Sequence, residues 1–351
     1  MTLSRRRTFK AFLITALLFF ANSLPLRAQN DSFYTGKTVR IIVGSTPGGF
    51  YDRWARLLSR YIPKYIAGNP NFVVQNMPGA SSVVAANYVY NLPKPDGLTV
   101  VMPINSLHLD QIVGRQEVKY DMRKFEYIGS QEKTPTMMYF RADSPIKSLA
   151  DIIQAKEPPK CGSTGTASTA YIVSKLLIEA FKARTISVTG YQGGSEIDLA
   201  VERGELVCRE MDVPPHFGRE PFDGWHRKGF DRHIFQGGPK RDPRLADVPT
   251  LFELLDQHKS PAIMRNLTRI VLASGEFGRP MLAGPGVPRD RIKTLRDAYG
   301  KAMRDPSLID EAKKGQMDME YTPGEELQAQ IKELLNQPHE VVDLVKKILS
   351  D

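Results

Sequence analysis

Two loops of small residues carry the atoms of this chain that could do chemistry. The first is the turn Gly44–Gly49 with the helix start that follows it, and the second is the Ser/Thr/Gly/Ala loop 163–169. Glycine lets a ligand approach the backbone, and the first N–H groups of a helix are unpaired and lie at the positive end of its dipole. Backbone N–H groups and hydroxyls of this kind hold small anions such as carboxylates. The two loops therefore predict anion binding.

The same residue types allow a second chemistry, which is nucleophilic catalysis. Ser163 or Ser168 could act as the nucleophile of a hydrolase, with His108 or His216 as its base. No spacing pairs a serine with a base, and the sequence lacks the GxxxxGK[ST], GxSxG and HExxH motifs. The six histidines follow no metal-ligand pattern. We therefore expect a binding protein without catalytic residues, cofactor or metal, and we keep a periplasmic serine hydrolase as the alternative.

Each loop stands between a strand and a helix. The apolar run Val39–Val43 precedes the first loop, and apolar residues at helical spacing follow it from Trp54 onward. A short strand at Cys161 precedes the second loop in the same way. Further apolar runs at 71–75 and 98–103 alternate with helical segments, which predicts βαβ units and parallel sheets. Two α/β lobes would then face each other across a cleft, with a helix start on each wall.

Several single residues fit both a structural and a functional interpretation. Asp52 either caps the first helix or lines the pocket. Asp212 ends a predicted strand, where α/β sheets bind ligands, so it either faces a polar group of the ligand or caps a turn. Ser195 and Asp198 fit a helix capping box. The run Arg269–Ala273 predicts a further strand, after which the chain becomes helical.

Residues 1–28 are typical of an export signal. Arg5–Arg7 and Lys10 precede the mostly apolar run Ala11–Ala21, and Ala28 offers a cleavage point. The run is too short to span a bilayer comfortably. Both the general secretory and the twin-arginine route fit this pattern. We expect a periplasmic protein.

Charge and cysteine content limit the partners of the exported chain. The signal holds five basic residues and no acidic one, so the formal charge falls from +9 to +4 after its removal. A mild surplus without a basic tract disfavours nucleic acid and favours small anions. Cys161 and Cys208 are too few for a disulfide scaffold. Both lie on predicted strands, where they either pair in an oxidising compartment or remain buried thiols.

A series of motifs occurs in a specific order along the chain. The motifs are TPGGFYD, NMPGA, PDG, YQGG and DVPT. In this order they resemble the Bug/TctC solute-binding proteins, the extracytoplasmic receptors of tripartite tricarboxylate transporters. The resemblance extends from about Phe33 to the end of the chain and is weakest across Phe217–Arg265. It implies a type II periplasmic-binding-protein fold, in which two doubly wound α/β lobes enclose a ligand cleft and the C-terminal helices lie on lobe 1.

The resemblance also implies domain boundaries, a function and partners. Lobe 1 would comprise residues 33–138 and 270–351, and lobe 2 residues 139–269. A small organic carboxylate would be captured between closing lobes and delivered by a monomeric receptor to the membrane subunits of a transporter. A membrane sensor that responds to ligand occupancy is the alternative partner.

The family's ligand-binding positions can be carried over residue by residue. They are Gly48, Gly49, Phe50, Tyr51, Asp52, Ser106, Ser163, Thr164, Gly165, Thr166, Ala167, Ser168, Thr169 and Asp212. Many members have a third glycine and a small hydroxyl residue where this chain has Phe50 and Tyr51. These rings would narrow the pocket or form an aromatic wall, which disfavours a citrate-like ligand and allows an aromatic or longer carboxylate.

Overall fold

The structure is a computed structural model that describes residues 33–166 and 168–349. The predicted signal at 1–28 and Ala167 of the second loop lie outside the described residues. Among the described helices, none combines the length and apolar character needed to cross a membrane.

Strands and helices alternate along most of the chain. The strands are β1 (Thr38–Val43), β2 (Asn71–Asn76), β3 (Thr99–Met102), β4 (Glu126–Ser130), β5 (Thr136–Arg141), β6 (Lys160–Gly162), β7 (Ile186–Val188), β8 (Cys208–Asp212), β9 (Asp231–Gln236), β10 (Met281–Ala283) and β11 (Thr322–Pro323). The helices are α1 (Phe50–Tyr61), α2 (Val83–Tyr90), α3 (Leu107–Val113), α4 (Leu149–Gln154), α5 (Thr169–Phe181), α6 (Gly194–Glu202), α7 (Val213–His216), α8 (Phe222–Lys228), α9 (Leu251–Gln257), α10 (Ala262–Phe277), α11 (Arg289–Ala302), α12 (Pro306–Lys314), α13 (Gly324–Leu334) and α14 (His339–Leu349).

The first predicted loop follows the carboxyl end of a strand in the first sheet. Its strand order is β11-β4-β10-β3-β1-β2, with β1 parallel to both β2 and β3. Ile41 and Val43 are fully buried beneath α1, whose Trp54 and Leu58 cover them at helical spacing. This packing fixes the carboxyl end of β1, and with it the turn that starts at Gly44.

The second sheet holds the second loop in the same way. Its order is β7-β6-β8-β5-β9, with β6 parallel to β7 and β8 and with β5 antiparallel to β8 and β9. Cys161 on β6 lies directly opposite Cys208 on β8, and a disulfide joins them. The cross-link ties together the two strands whose carboxyl ends carry the second loop and Asp212.

Two connections between the sheets pack against each other beneath the cleft. The first runs from β4 to β5, and the second runs from α10 to β10. The backbone N–H of Thr134 donates to the carbonyl of Gly275 at 2.9 Å. Gly278 has a φ of +62°, and a Cβ there would overlap the carbonyl oxygen of Glu132. Glycine is therefore required where the two connections touch.

Two details of the fold expected from the sequence are wrong. The run Arg269–Ala273 lies inside α10, because a short apolar run fits a buried helix face as well as a strand. The last helix, α14, does not pack on the first sheet. Its Val345, Ile348 and Leu349 are buried in the cluster around the second sheet, between α3 and α5.

Candidate functional site

A cavity of about 260 Å³ lies between the two sheets, where the carboxyl ends of their parallel strands meet. The first sheet contributes the turn after β1, the loop after β2 and the loop after β3. The second sheet contributes the loop after β6, the loop after β7 and the end of β8. Arg279, which follows α10, completes the lining. The volume suits a small ligand and not a macromolecular segment.

The glycine turn of the first sheet is held in shape by Asp52. The backbone N–H of Gly48, whose φ is +79°, donates to Asp52 Oδ2 at 2.9 Å, and Arg56 Nε donates to the same oxygen at 2.9 Å. Burial alone would favour the neutral acid, but the hydrogen bonds from Arg56 and Gly48 hold the pKa of Asp52 below its usual value. Asp52 and Gly48 thus brace the turn, whereas Gly49, Phe50 and Tyr51 line the cavity.

The loop after β2 has an unusual backbone conformation. Ala80, Ser81 and Ser82 have φ values of 43°, 49° and 74°, a left-handed region that residues with a Cβ rarely adopt. Ser82 Oγ donates to the Gly44 carbonyl at 2.8 Å and accepts the N–H of Ile104 at 3.2 Å. These bonds join the ends of β1 and β3 and leave Ser81 at the cavity.

Three serine hydroxyls at the cavity have no hydrogen-bond partner among the described residues. They belong to Ser45 and Ser81 on the first sheet's side and to Ser163 on the second, and all three oxygens are buried. A buried hydroxyl without a partner costs about 1–3 kcal/mol. Ser168 differs, because it caps α5 by accepting the N–H of Tyr171 and donating to Gly165. The unpaired hydroxyls are suited to bind a ligand oxygen.

Two arginines share one aspartate on the second sheet's side. Asp198 is 1% exposed and pairs with Arg209 through Oδ1 and with Arg219 through Oδ2 at 2.5 Å. Its side chain therefore does not form the capping box predicted with Ser195, and α6 begins after Gly193 instead. Both guanidinium groups line the cavity and together carry one more charge than Asp198 neutralises.

Arg279 links the two sides of the cavity. It is 2% exposed, pairs with Glu132 through Nε and donates from a terminal nitrogen to Asp212 Oδ2 at 2.9 Å. Its guanidinium carbon lies 5.2 Å from the ring centroid of Phe50 and 4.3 Å from that of Tyr51. The two aromatic residues therefore hold an arginine in place, in addition to lining the cavity.

Burial opposes the ionisation of two further carboxyl groups of the site. Burial raises the pKa of Glu132 to about 8, against the opposing effect of Arg279. Burial also raises the pKa of Glu210 well above its usual value, and the nearby Asp212 adds to the shift. Burial thereby reduces the negative charge that opposes the three guanidinium groups of Arg209, Arg219 and Arg279 at the cavity. This balance favours an anion as the ligand.

The two walls touch at the rim of the cavity. A Cβ at Gly193 would overlap Thr46 Oγ1, and one at Gly165 would lie 2.9 Å from Ser81 Oγ. Arg115, which follows α3, donates to the hydroxyl of Thr166 at 2.7 Å. The loops of the two sheets thus meet above the cavity, and glycine allows the closest approaches.

The predicted site residues divide into two groups. Those that line the cavity are Gly49, Phe50, Tyr51, Ser163, Thr164, Ser168, Thr169 and Asp212. Those that lie nearby without lining it are Gly48, Asp52, Ser106, Gly165 and Thr166. Ser106 is fully buried at the start of α3, and its neighbour Asn105 lines the cavity in its place. Ala167 is outside the described residues.

Sequence reasoning missed the arginines and glutamates of the site. Arg209 and Glu210 lie in the middle of β8, where alternation with buried apolar residues makes a charged pair unusual. That contrast was visible in the sequence and marks the strand as functional. Arg279 and Glu132 had no such signal, because they lie in the connections between the sheets.

The residues considered for hydrolysis are not arranged as a nucleophile and base. His108 Nδ1 lies 3.1 Å from the carbonyl of Asn105, and His216 is packed among other histidines. Ser168 Oγ donates to a backbone carbonyl. Within the described ranges, the one side-chain group found that could hold a metal contains His216 and lies outside the cavity lining.

Comparison with known sequences places these observations in a family. The sequence model for the "Tripartite tricarboxylate transporter family receptor" matches residues 55–347. A UPF0065 protein from the tcbD-tcbE intergenic region of Pseudomonas sp. (strain P51) is 22% identical over 294 residues, which cover 82% of this chain and 80% of that protein. A UPF0065 protein from Agrobacterium vitis is 25% identical over 199 residues, or 55% of this chain and 56% of that protein.

Solved structures share the fold. The periplasmic binding protein BugD superposes with a TM-score of 0.69 at 18% identity, over 90% of this chain and 98% of that one. MatC from Rhodopseudomonas palustris, solved with bound malate, has a TM-score of 0.67 at 19% identity, over 89% of this chain and 99% of that one. An R. palustris protein solved with adipate has a TM-score of 0.67 at 18% identity, over 90% and 97% of the two chains. The predicted two-lobed periplasmic-binding-protein fold is confirmed.

Proposed function

The chain belongs to the tripartite tricarboxylate transporter receptor family, and from that premise we propose that it captures a small organic carboxylate in the cavity between its two sheets. The observation that carries the proposal is the convergence of donors from both sides. Buried hydroxyls without partners among the described residues and three guanidinium groups surround one cavity. Membership of a receptor family agrees with the expectation of a binding protein that is not an enzyme.

We propose that the carboxylate binds mainly between Arg219 and the first turn of α1. The N–H groups at the start of α1 point toward the cavity end of the helix, where the dipole favours a negative charge. Ser45 and Ser163 would donate from opposite sides. The remaining predicted positions, Thr164 and Thr169, would bound the ligand on the second sheet's side.

Closure of two lobes would couple ligand capture to a change of shape. In this proposal lobe 1 comprises residues 33–138 and 270–351 apart from α14, and lobe 2 comprises residues 139–269. Helix α14 packs between α3 and α5 and would bridge the lobes. Anion binding stabilises the closed form because donors from both lobes contact the same group.

The cellular setting follows from the family and the N-terminal sequence. The receptor would be exported through the signal at 1–28, remain monomeric in the periplasm, and deliver its ligand to the membrane subunits of a tripartite transporter. Relatives of the same fold were solved with malate and adipate, so linear dicarboxylates are the first ligands to test. Nucleic acid is not an expected partner. Deleting the gene should abolish high-affinity uptake of the ligand by the cells.

A calorimetric panel tests ligand binding directly. Mono- and dicarboxylates, citrate and aromatic acids would be titrated into the purified protein beside their neutral amides. We expect one class of acid to bind and to raise the melting temperature, while its amide does neither. Failure of every acid, or equal binding of acid and amide, would contradict the proposal.

Variants at the rim test closure separately from the anion contacts. Gly193→Ala places a methyl group against Thr46 and should weaken the binding of the best acid. Combining it with Thr46→Gly removes the overlap and should restore part of the affinity. Gly190→Ala is unsuitable as a control because its φ is +103°, so Gly224→Ala on α8 serves instead. Equal affinities of Gly193→Ala and the wild type would argue against closure at this rim.

A further inference from the structure

Three histidines and one aspartate converge at a place that the proposed receptor function does not use. They are His216 at the end of α7, His226 on α8, and Asp231 and His233 on β9. One side-chain nitrogen or oxygen from each residue lies within 4.8 Å of those from the other three. The four residues lie in the part of the sequence where the family motifs are weakest, and none of them lines the cavity.

Hydrogen bonds among these side chains cannot account for the arrangement. His216 Nε2 lies 2.8 Å from His233 Nε2, 3.0 Å from His226 Nε2 and 2.8 Å from Asp231 Oδ2. A ring nitrogen offers either one hydrogen or one lone pair. It can therefore serve only one of these three close contacts. A cation between the three Nε2 atoms and the carboxylate oxygen would accept a lone pair from each of them.

Two of the distances are near the edge length of a tetrahedral metal site, and the three around His216 are shorter. Ligand atoms about 2.0–2.1 Å from a zinc ion lie roughly 3.3–3.4 Å apart at the corners of a tetrahedron. Asp231 Oδ2 lies 3.4 Å from His233 Nε2 and 3.6 Å from His226 Nε2, and the shorter separations lie around His216. We propose that His216, His226, Asp231 and His233 form a binding site for a divalent metal ion of the zinc class.

The local fold explains how separate elements reach one point. Asp231 and His233 are two apart on β9, so their side chains leave the same face of the strand. His226 comes from α8, which ends at Lys228, just before β9. His216 is fully buried between these elements and packs on the rings of Tyr139 and Phe222. No short sequence motif links the four ligands, which is why the sequence analysis expected no metal.

The donor set points to a structural role. Three imidazoles and one carboxylate fill the four positions of a tetrahedral site and leave none open for a reacting water. Imidazole nitrogen suits zinc, copper and nickel better than magnesium or calcium. The ion would tie α7 and α8 to β9. Because α7 directly follows Asp212, the same ion would anchor the end of β8 at the cavity.

Exposure separates the four ligands into two pairs. The side chains of His216 and Asp231 are 0% and 2% exposed, whereas those of His226 and His233 are 26% and 18% exposed. A metal ion can therefore enter from the side of His226 and His233. These two positions also tolerate substitution by glutamine with the least disturbance of the core.

Metal titration of the mature, untagged protein tests the site. The protein would be stripped with a chelator and titrated with Zn²⁺ by calorimetry, and its metal content would be measured by elemental analysis. We expect one Zn²⁺ per chain and a higher melting temperature of the loaded protein. Co²⁺ in place of Zn²⁺ should give the strong visible absorption of a tetrahedral site. No saturable binding, or the weak absorption of octahedral Co²⁺, would overturn the proposal.

Matched variants assign the binding to these residues. His226→Gln and His233→Gln should each weaken Zn²⁺ binding by at least roughly 100-fold, since losing a ligand exceeds the effect of losing an outer-shell partner. His339→Gln changes an exposed histidine at the start of α14 and should bind Zn²⁺ like the wild type. Unchanged binding in the two cluster variants would place the metal elsewhere and overturn the assignment. Carboxylate binding is measured on the same samples, so failure of the receptor proposal is recognised independently.

Discussion

The two walls of the cavity differ in the chemical groups that they offer to a ligand. The wall of the first sheet offers backbone groups and short hydroxyls from the turn after β1 and the left-handed loop after β2. The wall of the second sheet also offers hydroxyls from its loop, and it adds two long charged side chains, Arg209 and Arg219, over the buried Asp198. Backbone N–H groups bind any small anion of suitable size, whereas guanidinium groups discriminate between anions by charge and orientation. The first wall is therefore suited to general anion binding, and the second to selecting among anions.

Arg279 is where the two walls depend on each other. It stacks on Phe50 and Tyr51 of the first wall and pairs with Asp212 of the second. Phe50 and Tyr51 therefore act together with a buried arginine. We propose that the ligand preference of this chain depends on that group and not on the rings alone.

Replacing Arg279 should have the largest effect of any single change. Arg279→Met keeps much of the side-chain volume but leaves the fully buried Glu132 and the partly buried Asp212 without their shared partner. Loss of one partner of a buried pair costs about 3–5 kcal/mol of folding free energy. Urea unfolding monitored by circular dichroism measures the loss, and calorimetry of the folded fraction should show weaker acid binding.

A second substitution separates charge from stacking at this position. Arg279→Lys keeps the positive charge but lacks the planar group that lies over Tyr51. It should be more stable than Arg279→Met and still bind the acid more weakly than the wild type. If Arg279→Met unfolds at the wild-type urea concentration, Arg279 does not join the walls.

The disulfide should stabilise the second wall specifically. It joins β6 to β8, and no cross-link is present in the described part of the first sheet. The double variant Cys161→Ser/Cys208→Ser should lose about 2–4 kcal/mol of stability because its unfolded chain regains entropy. Hydrogen exchange measured before and after should show the greater loss of protection in β6 and β8. Equal loss in β1 and β3 would contradict a wall-specific role.

Single contacts to the ligand allow the most direct comparison of the walls. Arg219→Ala removes a charged donor of the second wall and should weaken acid binding about 10- to 150-fold, from a contact of about 1.5–3 kcal/mol. Ser45→Ala removes one neutral hydroxyl of the first wall and should weaken it about 2- to 10-fold. Calorimetry with the best acid of the panel measures both.

Surface variants provide the controls for this pair. Arg227→Ala and Ser59→Ala remove the same residue types away from the cavity and should bind the acid like the wild type. The order of the two effects is the important result. A larger loss for Ser45→Ala than for Arg219→Ala would show that the first wall carries the affinity.

The same contrast explains which parts of the site could be predicted from the sequence. The turn at Gly48 and the loop at Ser163 are local features, because glycine and hydroxyl residues after a strand determine the backbone there. The pairing of Arg279 with Asp212 is not local, since 67 residues separate them and the contact depends on how two connections pack. Asp198 shows the limit of prediction from local sequence. Its spacing from Ser195 fits a helix cap, but in the fold its carboxylate pairs with Arg209 and Arg219.

The pH dependence of anion binding should be the smallest of these effects. It arises from Glu132, which pairs with Arg279 between the two walls. Burial raises the pKa of Glu132 to about 8 from the usual 4.5, while Arg279 opposes the shift and Asp212 adds to it. The pKa of Glu132 is higher in the folded protein than in the unfolded chain. The contribution of Glu132 to the free energy of unfolding is therefore fully present below pH 4.5 and is lost as the pH rises through 8. At pH 8 about half of the molecules have lost this proton, and the added negative charge should lower anion affinity about twofold relative to pH 6. Glu132→Gln should remove this decline, whereas Glu276→Gln on the surface should keep it. A decline that persists in Glu132→Gln would assign the titration to a residue of one wall and not to the group between them.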